Sequence, residues 1–388
     1  MKKEVLVRRV HPGHPWIFSN EVFRAFGDPS PGDVVEAFKK DGRKKESLGF
    51  AFYNPHSLIA LRVFSKQSEF TPDFLRERLS SALAYRKSTL SDQSFRLVHG
   101  ESDDLPGLVI DKYENGFVIQ VNCLGMEKKK EMIVQGLNDV CRAQFVYEKS
   151  ETTYRRLEGL EPTVGLRSGN LPDEAKISQD GLDFLVDIKE GQKTGFYFDQ
   201  RDNRRRVRSL ASGKKVLDLF CYTGGFALYA AGGGAARVLG IDSSARAIEL
   251  ARTNARLNHF DAQCSFETAD VFEFLRQKKR TEEKFDIIIL DPPAFTKSRK
   301  DLRNASRGYK DINLLAMRLL APRGILVTAS CSHHVFWNDF MSIINSAQAD
   351  AGRRFMVLDR GTQAVDHPVL VGMPESEYLK CYFLQSLS

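Results

Sequence analysis

The sequence predicts an α/β protein whose C-terminal half is a Rossmann-like, doubly wound parallel sheet, preceded by a small β-rich unit and an α+β middle unit. Three observations predict it. Four short apolar runs recur after about residue 180 with helical stretches between them, the pattern of parallel strands joined by crossover helices. Residues 1–70 instead alternate short apolar runs with turn signals, and residues 71–178 mix helical and strand periods. A length of 388 residues suits two or three domains, with boundaries expected at 1–70, 71–178 and 179–388.

The elements follow in order. In the first region, turn signals at Asp28-Pro29-Ser30-Pro31-Gly32-Asp33, 40–43 and Tyr53-Asn54-Pro55 separate strand-like runs at 34–38 and 58–63. After Thr71-Pro72-Asp73 the residues Phe74, Leu75, Leu79 and Leu83 recur at helical spacing. Strands are expected at 107–111, 116–121 and 143–148, a helix over about 127–140, and a loop region near 151–175. The C-terminal strands are expected at 215–220, 237–242, 285–290 and 324–328, with a last one between Tyr378 and Leu387. Ser243 and Ser244 are cap candidates for a helix carrying Ala247, Ile248, Ala251 and Ala255 on one face. Pro322-Arg323-Gly324 reads as the break between the last long helix and the strand after it.

Composition narrows the class. The chain is 42% hydrophobic and 28% charged, the balance of a globular protein with ample core. No apolar run approaches the roughly 20 residues that span a bilayer, and no apolar signal-peptide core follows Met1-Lys2-Lys3. The six cysteines contain no CxxC pair, which suits reduced thiols in a cytoplasmic protein rather than a disulfide framework or zinc site. Cys331, His333 and His334 lack a second ligand cluster, so no metal is expected. The net charge of +7 and a pI of about 9.0 favour a polyanionic partner.

Ligands of an open parallel sheet bind beyond the carboxyl ends of its strands, at the switch point. The loop there reads Asp218-Leu219-Phe220-Cys221-Tyr222-Thr223-Gly224-Gly225-Phe226. Its paired glycines let the backbone approach a ligand closely, and Phe220 and Tyr222 flank the approach. Asp242 ends the second strand, followed by Ser243, and is placed to accept hydrogen bonds from ribose hydroxyls. Asp270, beside Val271, ends a third strand-like run and is placed to bind an adenine amino group. A nicotinamide enzyme would need a G-x-G-x-x-G turn to seat its pyrophosphate, and this loop has none. An acid at its head suits the ammonium of a methionine moiety. The cofactor implied is S-adenosyl-L-methionine.

The next strand ends in Asp291-Pro292-Pro293-Ala294-Phe295. Two prolines impose a stiff extended turn, presenting Asp291 and a backbone acceptor to the amino edge of a planar base. One strand on, Ser330-Cys331-Ser332-His333-His334 brings a thiol to the same end of the sheet. Carbon 5 of a pyrimidine is too weak a nucleophile to attack a methyl sulfonium. A thiolate adding at carbon 6 makes it one, with Asp291 stabilising the adduct of a cytosine. The base that removes the carbon 5 proton is left open between His333 and water.

Together, D-L-F-C-Y-T-G-G-F, D-P-P-A-F and S-C-S resemble the bacterial 23S ribosomal RNA large-subunit methyltransferase I family, which makes 5-methylcytosine. Gly195-Phe196-Tyr197-Phe198-Asp199-Gln200-Arg201-Asp202-Asn203-Arg204 resembles that family's stretch before the catalytic sheet, and His11-Pro12-Gly13-His14-Pro15-Trp16 the start of its PUA domain, a small RNA-binding β-barrel. The resemblance spans nearly the whole chain. It implies a class I methyltransferase sheet in which Asp218, Gly224, Gly225, Asp242 and Asp270 line the cofactor, Cys331 is the nucleophile and Asp291 recognises the base. Phe198 and Arg201 would lie near the cofactor or the flipped nucleotide. A second cysteine in the fourth-strand motif, used for product release in related enzymes, is replaced here by proline.

Ribosomal RNA is therefore the expected partner, with no membrane, and the oligomeric state is left open, a homodimer included. Phosphates are expected to meet Arg201, Arg204, Arg205, Arg206 and Arg208, together with Lys297, Arg299, Lys300, Arg303 and Arg307. The target must be single-stranded or flipped out, with Phe295 or Tyr309 as stacking partners. Two other readings stand beside cytosine methylation: a guanine methyltransferase acting at an exocyclic nitrogen or N7, and a non-catalytic RNA-binding assembly factor.

Overall fold

The computed structural model describes residues 2–41, 44–278, 283–295 and 302–387. Its chain divides into two units. The first comprises Met1–Ile177, Asp187–Phe198 and Val365–Ser376, the second Ser178–Val186, Asp199–Ala364 and Glu377–Ser388.

The first unit opens with β1 (Glu4–Val7), β2 (Trp16–Phe18), β3 (Val22–Phe26), β4 (Asp33–Asp41), β5 (Lys44–Tyr53) and β6 (Ile59–Ser65). They form one sheet in the order β2-β6-β5-β4-β1-β3. Alternation along the strands buries Val5, Val7, Ile17, Val35, Ala37, Ala51 and Leu61 on one face. Helix α1 (Pro72–Thr89) starts where the period changes, with Thr71 Oγ1 accepting the Phe74 N–H at 3.1 Å. Next come β7 (Phe95–His99), β8 (Leu108–Tyr113), β9 (Gly116–Val121), α2 (Leu124–Glu127), α3 (Lys130–Cys141) and β10 (Phe145–Ser150).

The stretch expected as a loop near 151–175 instead holds α4 (Thr153–Leu157) and β11 (Thr163–Gly169). β11 is an edge strand, paired antiparallel with β10 alone. Its apolar residues Val164 and Leu166 are exposed. Polar alternation without a buried face is why its period carries no signal. The second sheet runs β11-β10-β9-β8-β7, and Leu75, Leu79, Ile133 and Leu137 of α1 and α3 share its core with Ile110, Ile119 and Val146. β12 (Ala175–Gln179) and β13 (Leu182–Val186) then form a two-stranded sheet.

The second unit continues with α5 (Arg201–Leu210), β14 (Lys215–Leu219), α6 (Gly225–Gly232), β15 (Arg237–Asp242), α7 (Ala245–Leu257), β16 (Cys264–Thr268) and α8 (Val271–Lys278). It ends with β17 (Phe285–Leu290), α9 (Leu302–Leu319), β18 (Leu320–Ser330), α10 (Trp337–Ala351), β19 (Phe355–Gly361) and β20 (Lys380–Ser386). The sheet order is β16-β15-β14-β17-β18-β20-β19. β14 to β18 are parallel, and β20 enters antiparallel between β18 and β19. The winding reverses between β14 and β17, which makes their carboxyl ends the switch point.

Two boundaries differ from expectation for local reasons. Pro322-Arg323-Gly324 lies inside β18, where Arg323 takes a φ of 57° and the register slips against β17. α9 therefore runs straight into the strand. Phe220, expected as strand, is already left-handed at φ 63°, so the chain turns out of the sheet one residue earlier. Among the described residues, no helix is long and apolar enough to cross a membrane.

Candidate active site

The turn after β14 is built by its neighbours. Phe220, Tyr222 and Gly224 all have positive φ, at 63°, 48° and 85°, and a run of this kind is strained unless its backbone groups are held. The Cys221 N–H reaches the Ile241 carbonyl at 3.0 Å, and the Tyr222 N–H reaches Asp242 Oδ2 at 2.9 Å. From α7, the fully buried Asn254 donates to the Thr223 carbonyl at 3.1 Å while its Oδ1 accepts the Leu185 N–H at 2.8 Å.

Packing also constrains the glycines. A Cβ on Gly224, whose φ is 85°, would lie 2.9 Å from Leu228 Cδ1, and one on Gly225 would lie 3.1 Å from Arg204 Nε. Gly224 is thus fixed by its left-handed φ and by packing, and Gly225 sits in tight packing alone.

Asp218 is the electrostatic centre of the site. It is 1% exposed; Oδ2 accepts the Ala227 N–H at 2.9 Å, and Oδ1 has no hydrogen-bond partner among the described residues. Burial drives its carboxyl well above the usual range, and the like charges of Asp291 and Asp242 push the same way. A buried acceptor among three acids fits a ligand that brings a positive charge. Asp242 spends one oxygen on Tyr222 and the other on the Ser244 N–H, at 2.9 Å each, so a ribose would use its remaining lone pairs. Ser244 caps α7, with Oγ accepting the Ala247 N–H, while Ser243 is exposed. Asp270 caps α8 through the Glu273 N–H and is exposed, whereas Val271 is buried in the sheet's core.

Asp291 follows β17 and is half-buried, with Oδ1 accepting from Gln200 Nε2 at 2.9 Å. Gln200 is held in turn by Asn203 at 2.7 Å. Pro292 is buried and Pro293 exposed. Cys331 stands just past the end of β18, half-exposed, and Leu290 pairs with Thr328 on these neighbouring strands. The Tyr309 hydroxyl is raised by burial first, then by negative charge at Cys331 and Asp291. Both groups therefore act on the same phenol. Burial holds Cys123 and Cys264 protonated, pushing each thiol up to about 12, and Cys141 up to about 11. Cys221 and Cys381 are also buried and raised.

Other residues expected at the site have partners within the protein. Phe198 packs against Tyr113 and Phe196 at ring distances of 5.4 and 5.2 Å. Tyr309 is fully buried, with its hydroxyl accepting from Ser330 Oγ at 3.0 Å, so it cannot stack on a base. Phe295 lies half-buried on Tyr309, ring centroids 4.6 Å apart. The arginines of α5 are all engaged within the protein, and two of them are out of reach of a phosphate. Arg201 and Arg204 are buried, the latter donating to Gln179 at 2.9 Å. Arg205 grips Asp180, Arg206 pairs with Asp359, and Arg208 donates to the Asp180 carbonyl. A dense run of arginines looks the same in sequence whether it faces phosphate or a protein carboxylate. Arg303 and Arg307 are exposed on α9. Lys297, Arg299 and Lys300 lie outside the described residues.

Sequence reasoning missed the supporting residues Asp199, Gln200, Asn203, Tyr378 and Lys380. Tyr378 donates to Asp199 Oδ2 at 2.7 Å, and the exposed His333 ring lies 5.5 Å from the Tyr378 ring. The D-Q-R-x-N-R stretch was a usable signal, since polar residues this dense before a buried strand need internal partners.

The fold and the acidic switch-point site define an S-adenosylmethionine-dependent methyltransferase. Residues 159–361 match the S-adenosylmethionine-dependent methyltransferase family and residues 2–66 the PUA-like domain. The chain is 43% identical over 386 residues to the ribosomal RNA large subunit methyltransferase I of Aeromonas salmonicida, covering 98% of this chain and 96% of that one. It is 42% identical over 387 residues to the protein of the same name from Tolumonas auensis, with the same coverage. The chain belongs to the ribosomal RNA large subunit methyltransferase I family. Its fold is similar to that of a Streptococcus mutans protein described as a SAM-dependent methyltransferase, at a TM-score of 0.83 and 22% identity over 99% of this chain and all of that one. A methyltransferase solved with S-adenosylhomocysteine gives a TM-score of 0.82 at 22% identity and the same coverage.

Proposed function

We propose that the protein methylates carbon 5 of a cytosine in large-subunit ribosomal RNA, with Cys331 as the nucleophile and Asp291 as the acid that recognises the base. The observation that carries this reading is the half-exposed thiol of Cys331 at the carboxyl end of the strand neighbouring Asp291. Relatives covering nearly the whole chain carry the ribosomal RNA name, and such a substrate has the enzyme acting in the cytoplasm.

S-adenosyl-L-methionine supplies an electrophilic methyl group when bound. Asp218 would take its ammonium, Asp242 its ribose, and Tyr222, Gly224 and Gly225 the backbone wall beside it. Asp270 and Val271 would border the adenine. Asp291, fixed by Gln200, would act as the neutral acid, giving its proton to N3 as the thiolate adds while its other oxygen accepts from the exocyclic amino group of cytosine; Pro292, Pro293 and Phe295 bound the base. The Cys331 thiolate bonds to carbon 6, and the electron pair of the ring double bond then makes carbon 5 nucleophilic. Once carbon 5 carries the methyl group, it loses its proton to a base, either the exposed His333 or a water. Elimination breaks the sulfur–carbon bond and returns the thiolate. Arg303 and Arg307 hold phosphates on either side of the flipped nucleotide.

Ribosomal RNA from cells lacking the gene, treated with the purified protein and methyl-labelled cofactor, tests the reading by nucleoside mass spectrometry. Label in 5-methylcytidine is expected. Label in a methylguanosine, or turnover undiminished by Cys331→Ala, would overturn it.

A further inference from the structure

We propose that Lys380 is a positioning residue for the reaction: its ammonium stands against Cys331 and stabilises the thiolate that attacks the base. This rests on Cys331 being the nucleophile. β18 and β20 are antiparallel neighbours, and Lys380 is registered opposite Ser330, the residue before Cys331. Its Nζ donates to the Ser332 carbonyl at 2.6 Å, the residue after Cys331, and to the Tyr378 carbonyl at 2.7 Å. The lysine is therefore tied to the residues on both sides of the cysteine in the chain. An ammonium has three donors; two are used on these carbonyls, and no partner takes the third among the described residues.

Burial makes the charge count. Lys380 is 3% exposed, so its field on Cys331 is little screened by salt. Burial lowers its pKa to about 8, opposed by negative charge at Cys331, then Glu377 and Asp339. The ammonium is therefore present through neutral pH. Glu377 is engaged by Trp337 Nε1 at 3.0 Å, and Asp339 takes the Phe336 N–H at 3.1 Å. Both carboxylates have other work, whereas Cys331 gains from the charge only when ionised. A bare lysine sealed beneath a strand end would otherwise cost more than a neutral residue there.

The test is the pH dependence of Cys331 alkylation by iodoacetamide in the full chain, followed by peptide mass spectrometry so that the other thiols do not interfere. Removing the positive charge disfavours the thiolate. Lys380→Met is expected to move the alkylation midpoint up by about one to two pH units, leaving roughly ten- to a hundredfold less thiolate at neutral pH. Lys380→Arg restores most of the shift, which a residue serving only to satisfy two carbonyls would not do. Folding is checked by circular dichroism. If the Met variant does not fold, Lys380→Gln keeps a donor without the charge and takes its place. A midpoint in the folded neutral variant equal to that of the wild type overturns the proposal. Alkylation is read without turnover, so this failure is distinct from that of the nucleophile itself, which an active Cys331→Ala variant would show.

Discussion

Replacing Asp218 with asparagine separates the two demands placed on that residue. The amide oxygen can still accept the Ala227 N–H that Oδ2 accepts at 2.9 Å. The amide nitrogen then sits where Oδ1 is unpartnered, aiming a donor at the place where a ligand ammonium is expected. Losing a hydrogen bond to a charged group costs about 1.5–3 kcal/mol, so affinity for S-adenosylhomocysteine should fall roughly ten- to a hundredfold. Stability should move the other way. The Asp218 carboxyl is raised by burial and by Asp291 and Asp242, so the folded state binds a proton that the unfolded state releases. Stability is then lost as pH rises from the unfolded value, about 4, through the raised folded one. Asparagine removes that loss and should raise the melting temperature near neutrality, with no gain in acid. Wild-type affinity should also climb as pH rises through the raised value of Asp218, and the variant should lose that slope. Titration calorimetry reads the affinity and thermal unfolding the stability. A variant that binds as tightly as the wild type, with the same pH slope, would refute the role given to Asp218.

Asn254→Ala leaves the buried Thr223 carbonyl and the Leu185 N–H without their partner; a loss of about 2–4 kcal/mol in denaturant unfolding is expected, with weaker cofactor binding as the 220–224 turn loosens. Gln200→Leu removes the 2.9 Å donor to Asp291. Single-turnover methylation should slow about tenfold or more, the equivalent of one hydrogen bond to a charged group, while S-adenosylhomocysteine affinity stays within about twofold. Alanine at Arg303 and Arg307 together should weaken RNA binding and flatten its salt dependence by about 0.7 per lost phosphate contact, read by filter binding at several salt concentrations.

The parallel sheet was legible because its strands are continuous apolar runs. Arg237–Asp242 and Phe285–Leu290 coincide with the expected segments, as buried strands between helices leave little else for such runs to be. β11 was not legible, since an edge strand with both faces partly wet has no apolar period. At the site, each acid could be placed at a strand end from chain order alone. What each acid touches could not: Asp242 holds two backbone N–H groups and Asp270 caps a helix, contacts that depend on turns whose φ values no pattern announces. The arginines of α5 show the same gap. Their charge was visible in the sequence, but Asp180 and Asp359, which answer it, lie far away along the chain. Lys380 escaped notice for the converse reason, being a single lysine in a strand until β20 is registered against β18.

The covalent step is the centre of the account, and RNA carrying 5-fluorocytidine at the target position tests it most directly. Fluorine cannot leave as a proton does, so elimination is blocked after methyl transfer and the sulfur–carbon bond persists. With cofactor present, a denaturation-resistant protein–RNA adduct of equimolar composition is expected, mapped by peptide mass spectrometry to Cys331 and absent in Cys331→Ala. Methylation of the unsubstituted RNA with no adduct on the fluorinated one, or an adduct on another cysteine, would contradict it.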